Sequence, residues 1–221
     1  MAYGQNSVDE GTTKLEMDNL FGLPNFRNEI IWKRTFAHSS AKRFGPNFDT
    51  ILFYTKSGDY TWVPPRQPQD PNYVRTHYPH RDSNGRFRYV SLTGAGTRGG
   101  PSGQPWRGFD PAIIGRHWSY KPSTLDRLDS EGSIYWPPNN GQPNLKQYLK
   151  LNTSVQAIWT DIPPINSQAK ERKDVGGYPT QKPEALLKRI IEASSDPDQV
   201  VADFFCGCGT APAVAQHSGA G

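Results

Sequence analysis

Short apolar runs separated by polar stretches mark the first quarter of the chain. The runs "NEIIWKR" (28–34) and "TILFYTK" (50–56) are rich in β-branched and aromatic residues. Each is too brief for a free-standing helix, so the pattern predicts two buried strands. The stretch between them, residues 35–49, is too polar for a core segment and is predicted to be a loop.

A short helix is predicted just before these strands. In "KLEMDNLFG" (14–22), Leu15, Leu20 and Phe21 recur at near-helical spacing, and Gly22 is expected to end the helix. Residues 1–13 are polar and lack periodicity, which predicts a disordered or frayed N-terminus.

Regular patterns fade between Val63 and Asn144. Turn-forming stretches such as "GAGTRGGPSGQPWRGFDP" dominate this region, which therefore predicts a loop-rich segment. The islands "FRYVSL" and "GSIYW" are expected to be short strands, and "NLKQYLKL" (144–151) is expected to form one or two helical turns.

Strong periodicity returns near the C-terminus. "YPTQKPEALLKRIIEASS" predicts a helix with one apolar face, with Thr180 as its cap and Pro183 in its first turn. The run "VVADFF" (200–205) predicts a strand buried on both faces, as in a parallel sheet. A small-residue helix is expected after the glycine loop that follows. Helix, strand, glycine loop and helix in this order predict half of an α/β, doubly wound, Rossmann-like fold.

Composition narrows the class of protein. The chain has 221 residues, enough for one sizeable α/β domain with an insertion, and its 21 Gly and 20 Pro exceed globular usage. No basic start precedes an apolar run, and no segment approaches a membrane span of about 20 residues. Two cysteines with one residue between them cannot stabilise a fold by a disulfide cross-link, so a reduced, cytoplasmic location is expected.

Charge is distributed unevenly. Residues 66–127 contain nine Arg and one Lys against four acidic residues, a balance of 10 − 4 = +6 within a chain of net charge +4. Aromatic residues are interleaved with these arginines. Arginine with aromatics in a Gly/Pro-rich region suits a phosphate backbone and exposed bases, although an ordinary basic surface has the same composition.

The loop "DFFCGCGT" (203–210) could serve several chemistries. A structural zinc site needs about four ligands, and no second cluster accompanies Cys206 and Cys208, so no metal is expected. A redox pair would be spaced CxxC, and a phosphate loop would need a Lys after Gly209. The two cysteines are therefore interpreted as small side chains in a tight loop.

The full string is more specific than the glycines alone. "YPTQKPEALLKRIIEASSDPDQVVADFFCGCGTA" resembles the S-adenosylmethionine-binding end of the amino-group DNA methyltransferases, which methylate adenine N6 or cytosine N4. In the permuted, β-like class of that family the "KP" helix comes just before the strand and the Phe-x-Gly-x-Gly loop. "FRNEIIWKRTFAHSSAKRFGPNFDTILFYTKS" also resembles that class, and the likeness extends over most of residues 14–216.

This resemblance implies the cofactor S-adenosylmethionine and a set of residues around it. Glycines would let the backbone approach the ligand, Phe205 would face the sulfonium, and Asp203 would meet the amino group of the methionine part. Lys182 would pair with the cofactor carboxylate, or lie solvated on the surface, and Thr210 would line the site or cap the next helix. The implied cofactor-binding residues are Thr180, Lys182, Pro183, Asp203, Phe205, Gly207, Gly209 and Thr210.

The family's catalytic string, [D/N/S]-P-P-[Y/F/W], is not found in the chain. "DIPPI" (161–165) has one residue too many before the prolines and Ile165 where a stacking ring should be. It is interpreted as a rigid connector rather than a catalytic motif. The chain is expected to begin after the catalytic motif and to end before the ribose-binding strand, and so to have little or no activity alone.

In the family that the chain resembles, a target-recognition region is inserted at the place where this basic region falls. Residues 14–64 and 151–221 are assigned to the methyltransferase core and 65–150 to the insertion. Candidate contacts to phosphates or bases are Arg75, Arg86, Arg88, Arg98, Arg107 and Arg116.

Three functional hypotheses remain open at this point. The first is a DNA methyltransferase partial chain, with adenine N6 favoured over cytosine N4. The second is a non-catalytic DNA-binding remnant or specificity module, and the third is an unrelated nucleotide-binding fold. The expected partner is double-stranded DNA, with a restriction subunit or a second copy of the chain as alternatives and no membrane.

Overall fold

The structure, a computed structural model, describes residues 2–4, 10–35, 42, 44–138, 141–166, 169–171, 176, 178 and 180–219. Within these ranges the chain is a mixed α/β protein. The α-helices are α1 (Glu10–Phe21), α2 (Pro71–His77), α3 (Pro122–Ser130), α4 (Glu184–Ser194) and α5 (Thr210–His217). The strands are β1 (Ala2–Gly4), β2 (Phe26–Lys33), β3 (Phe48–Tyr54), β4 (Arg66–Pro68), β5 (His80–Asp82), β6 (Gly85–Ser91), β7 (Thr93–Ala95), β8 (Arg116–Trp118), β9 (Ile134–Tyr135), β10 (Asn144–Tyr148), β11 (Asn152–Ser154) and β12 (Ile158–Trp159).

The chain divides into two units. The first contains Met1–Gln67 and Ser154–Gly221, and the second contains Pro68–Thr153. The chain leaves and re-enters the first unit through β4 and β11, which pair as a two-stranded sheet.

A four-stranded sheet of order β1-β3-β2-β12 forms the centre of the first unit. The two apolar runs predicted as strands are confirmed, and β2 and β3 pair antiparallel with Ile30 opposite Ile51. β12 extends the sheet parallel to β2, and β1 pairs antiparallel with β3. The prediction of a disordered or frayed N-terminus is wrong for residues 2–4 and 10–13, which belong to β1 and to the start of α1. Its residues 1 and 5–9, and residues 36–41 and 43 of the predicted polar loop, lie outside the described residues.

The core of the first unit lies between this sheet and α4. Leu186 of α4 is fully buried and packs into a cluster with side chains from β2, β3 and β12. One turn further on, Ile191 packs against Val214 of α5. The predicted apolar face of α4 is therefore confirmed, and the helix joins the sheet to α5.

The segment 200–205 is not the buried strand that the sequence predicts. It has no strand pairing in the structure, and Val200, Phe204 and Phe205 are 87%, 90% and 96% exposed. A buried strand requires hydrogen-bonded neighbours on its edges, and the described sheet of the first unit provides none to this segment.

The second unit is built on an antiparallel sheet of order β5-β6-β10-β9 and a two-stranded sheet of β7 and β8. Its core is an aromatic-rich cluster of buried side chains: Leu92, Trp106, Trp118, Leu125 and Ile134. Two strands predicted within the loop-rich region, β6 and β9, are confirmed.

The predicted helical turns at 144–151 are wrong, because residues 144–148 form β10. Each residue of β10 pairs with β6, which lies more than 50 positions earlier in the sequence. Non-local pairing of this kind overrides a local helical pattern. No described helix is long and apolar enough to cross a membrane.

Candidate cofactor site and nucleic-acid interface

The loop 203–209 in the first unit is shaped by two short-range hydrogen bonds. The Oδ1 atom of Asp203 accepts a bond of 2.9 Å from the backbone N–H of Phe205. The carbonyl of Cys206 accepts a bond of 2.8 Å from the N–H of Gly209. These bonds reverse the chain within a few residues. The Asp203 side chain, with its second carboxylate oxygen, is exposed.

Gly207 brings the loop against a distant part of the chain. A Cβ atom at this position would lie 3.2 Å from Cε1 of Tyr178 and 3.4 Å from its hydroxyl oxygen. Gly207 also has φ +54°, in the left-handed region. The tyrosine ring therefore joins the glycine loop to the segment just before α4, which the sequence predicted to share one site with it.

Gly209 begins the transition into α5. Its φ is +86°, and it occupies the N-cap position, without a side chain to cap the helix. Thr210 is buried as the first residue of α5, with Oγ1 3.3 Å from Sγ of Cys208. The cap assigned to Thr210 as an alternative is therefore wrong, because Gly209 occupies the N-cap position.

Phe205 lies on the outer surface of the loop. Its ring is almost fully exposed, as is that of Phe204. In the described residues the ring thus has no packing partner, and it is accessible to a ligand from solvent.

The start of α4 supplies the other predicted residues. Pro183 is buried and precedes the first helical residue, Glu184, whose N–H donates to Oε2 of Glu171 at 3.0 Å. The cap predicted at Thr180 is therefore wrong, since Glu171 satisfies this end of the helix. The carbonyl of Thr180 instead accepts a hydrogen bond of 3.4 Å from Nζ of Lys182.

Lys182 belongs to a half-buried charged cluster with Asp49 and Arg34. Nε of Arg34 lies 2.9 Å from Oδ1 of Asp49, which is 3% exposed at the start of β3. Burial raises the pKa of Asp49 to about 6, and the positive charge of Lys182 opposes this rise. Burial lowers the pKa of Lys182, and Asp49 opposes that shift. Sequence reasoning missed Asp49, although a lone acid in the run "FDTILFY" was a usable signal.

The "DIPPI" stretch serves a structural role. Both carboxylate oxygens of Asp161 accept hydrogen bonds from Arg189 of α4, at 3.0 and 2.5 Å, which lowers the pKa of Asp161. Ile162 is buried in the core, and its carbonyl accepts a bond from Nε1 of Trp32. This anchoring supports its interpretation as a rigid connector.

Two of the six arginines proposed to contact DNA are held within the second unit. Arg107 forms an ion pair with Asp129 and lies over the ring of Trp106. Arg116 donates two bonds of 2.7 Å to the side chain and carbonyl of Thr93. These contacts hold both guanidinium groups, and the Arg107 side chain remains 51% exposed.

Of the other four arginines, Arg86 is exposed and Arg88 is half-buried. Arg75 and Arg98 are exposed. Arg86 donates to the carbonyl of Tyr78, and Arg88 donates to Oε1 of Gln147 and lies over the Tyr78 ring. Sequence reasoning missed Arg81, which lies directly opposite Arg86 in the β5–β6 pair. No group of three or more described His, Cys, Asp or Glu residues is arranged to hold a metal ion.

Comparison with known proteins defines the class to which this α/β chain belongs. Residues 7–220 match the family model of the N6/N4 DNA methylases, so the chain is a member of that DNA methylase family.

Individual relatives agree with this assignment. The chain is 36% identical to the type II methyltransferase M.EcaI of Enterobacter cloacae, over 90% of this chain and 44% of the relative. It is 29% identical to the Mod subunit of the type III restriction-modification enzyme StyLTI of Salmonella typhimurium, over 92% of this chain and 33% of the relative. It is 50% identical to the DNA adenine methyltransferase YhdJ of Escherichia coli, over 46% of this chain and 43% of the relative. The chain thus spans less than half the length of these relatives.

Proposed function

We propose that this chain is the cofactor-binding and DNA-recognising part of an S-adenosylmethionine-dependent DNA methyltransferase that modifies adenine N6. Membership of the DNA methylase family supports the reaction class. The relative YhdJ is named as a DNA adenine methyltransferase, which favours adenine over cytosine N4. The Rossmann-like, doubly wound architecture belongs to the same proposal and is supported by the parallel pairing of β12 with β2 and by α4 packed on the sheet.

The residues of the glycine loop fit this cofactor. Gly209 leaves the backbone open, with no atom within 4 Å of the position that a Cβ would take, and the second carboxylate oxygen of Asp203 can accept a hydrogen bond from the cofactor ammonium group. The exposed ring of Phe205 can attract a sulfonium cation through its face.

The start of α4 would complete the site. Lys182 would bind the cofactor carboxylate, and Thr180 and Pro183 would line the site with Thr210 of α5. The cofactor, when bound, supplies a methyl group activated by the sulfonium charge. The chain's own residues bind and orient it.

We further propose that the 221-residue chain alone has little or no methyl-transfer activity. In the resembled family, a polar side chain and a carbonyl hold the target amine in line with the methyl group, while an aromatic ring stacks on the flipped base. No D-P-P-Y-type string occurs in the sequence. The nearest candidate, Asp161, is engaged by Arg189.

One observation carries the cofactor assignment: the contact between Tyr178 and Gly207, which places the glycine loop beside the segment before α4. The test is thermal unfolding of the chain with S-adenosylhomocysteine and, as a control, ATP. Binding at about 100 times Kd would stabilise the fold by about 2.7 kcal/mol. We expect stabilisation by S-adenosylhomocysteine only, and a weaker effect in Asp203→Asn. Stabilisation by ATP alone would contradict the proposal and support an unrelated nucleotide-binding fold.

A second candidate is a DNA-binding specificity module without catalysis. The missing catalytic string favours it. Duplex DNA binding without any effect of S-adenosylhomocysteine would support this candidate over the first.

We propose that the partner in both cases is double-stranded DNA and that this protein is cytoplasmic. The relative named as a Mod subunit makes a restriction subunit a further candidate partner, beside a second copy of the chain.

A further inference from the structure

Three arginines share one face of the antiparallel sheet in the second unit. Arg86 and Arg88 alternate along β6, so their side chains point to the same side, about 6.8 Å apart along the strand. Arg81 of β5 is the direct cross-strand partner of Arg86 and shares that side. We call these three residues the arginine face.

The arrangement places like charges directly opposite each other. Cross-strand partners have Cβ atoms only about 4.5–5.5 Å apart, and like charges at this separation destabilise a sheet. Among the described residues, Arg81, Arg86 and Arg88 have no acidic partner within ion-pair distance. The positive charge of this face is therefore unneutralised within the described chain.

The opposite face of the same sheet is organised differently. Its one cation on β10, Lys146, pairs with Asp82, which also accepts a bond from the Tyr148 hydroxyl. Phe87 and its aromatic neighbours pack together on that side. Among the residues that the structure describes, the cation on one side of the sheet has an acidic partner, whereas the arginines on the other side have none.

Two of the arginines are also held in place. The carbonyl of Tyr78 accepts a bond of 3.3 Å from Nη1 of Arg86. Nε of Arg88 donates to Gln147 at 2.7 Å, and its guanidinium lies 5.2 Å from the centre of the Tyr78 ring. These bonds use one donor of each side chain and leave other N–H groups of both for an anion.

We propose that the arginine face binds phosphates of the DNA backbone without reading base sequence. The proposal rests on the proposed function, since it takes duplex DNA as the substrate. It assigns Arg81 to the interface and leaves Arg107 and Arg116 to the internal structure of the second unit. A repeated row of positive charge suits the regular spacing of charges along a DNA strand.

The experiment measures duplex binding by fluorescence anisotropy, at salt concentrations from about 50 to about 200 mM, for the wild-type chain and the single variants R81Q, R86Q and R88Q. Each variant should lower the slope of log K against log salt by about 0.9, on every duplex sequence tried. Arg127→Gln is the matched control, because it removes the same charge from an exposed helical arginine paired with Glu131. R127Q should keep the wild-type slope.

Arg86→Lys distinguishes an effect of charge from an effect of altered folding. This variant keeps the positive charge but loses the planar set of donors. Its slope should stay near the wild-type value, and thermal unfolding should show each variant folded. Wild-type slopes in R81Q, R86Q and R88Q would overturn this inference alone. A wild-type chain that binds no duplex would overturn the proposed DNA function together with it.

Discussion

The ring of Tyr178 lies against the backbone of Gly207, so that a Cβ atom on the glycine would come within 3.2 Å of Cε1. This contact connects the glycine loop to the chain that leads into α4. The two segments carry most of the proposed cofactor-binding residues.

Substitution of Gly207 by Ala should destabilise the fold for two reasons. The left-handed φ of +54° costs an L-residue about 1–2 kcal/mol, and the new methyl group must displace the Tyr178 ring. Gly209→Ala is the matched control, because Gly209 has φ +86° but no atom within 4 Å of the position that a Cβ would take. Urea unfolding should show a larger loss for G207A, by up to about 1 kcal/mol. Equal losses, or no recovery of the excess in the double variant Y178A/G207A, would contradict the contact.

Replacement of Asp161 by Asn should reduce stability without affecting ligand binding. Arg189 is only 13% exposed at its side chain and would lose its charged partner, at a cost of about 1–3 kcal/mol. The surface variant D59N, at an exposed position, should change stability by less than about 0.5 kcal/mol. Loss of S-adenosylhomocysteine or DNA binding in a folded D161N protein would show that this carboxylate serves the site directly.

Stability should depend on pH through Asp49. Burial raises its folded-state pKa from 3.8 to about 6, so the folded protein binds this proton more tightly than the unfolded chain does. By linkage, the contribution of Asp49 to the free energy of unfolding rises as pH falls from about 7 to about 4. Urea unfolding of wild type and D49N at about pH 7 and about pH 5 measures it.

The stability of wild type relative to D49N should increase at the lower pH. Arg34 and Lys182 are the cationic side chains beside Asp49. A relative stability that falls on acidification would show that the carboxylate is stabilised in its charged form instead.

The two cysteines should react with maleimide at different rates. Cys206 is exposed, while Cys208 is half-buried with its sulfur beside Thr210. We expect one fast and one slow labelling event by mass spectrometry, with only the slow event left in C206S. If the loop binds the proposed cofactor, S-adenosylhomocysteine should slow labelling of Cys206 and ATP should not. An unchanged labelling rate at saturating S-adenosylhomocysteine would show that Cys206 lies outside the binding site.

Local patterns predicted much of the first unit. The strands β2 and β3 and the helix α4 follow from short-range apolar periodicity, and the structure confirms them. The strand predicted at 200–205 and the helical turns predicted at 144–151 failed because strand formation depends on distant neighbours. β10 has such a neighbour in β6, whereas 200–205 has none among the described residues.

The same distinction applies to the candidate site. The glycine loop and the "KP" helix were visible as a contiguous string. The roles of Tyr178 and Glu171 were not visible, because they arise from contacts with residues that are not their neighbours in sequence. For the arginines, the sequence showed an excess of positive charge but not which side chains share a surface. The strand register places Arg81 beside Arg86, whereas Arg116 is hydrogen-bonded to Thr93 within the unit.

The exposed side chains of Val200, Phe204 and Phe205 have a practical consequence for work with this polypeptide. Exposed apolar side chains of this size favour self-association, at roughly 25 cal/mol for each Å² removed from water. Concentrated samples should therefore form reversible oligomers and bind hydrophobic dyes. Polar replacements at Val200 and Phe204 would improve their colloidal behaviour while leaving the Phe205 ring in place.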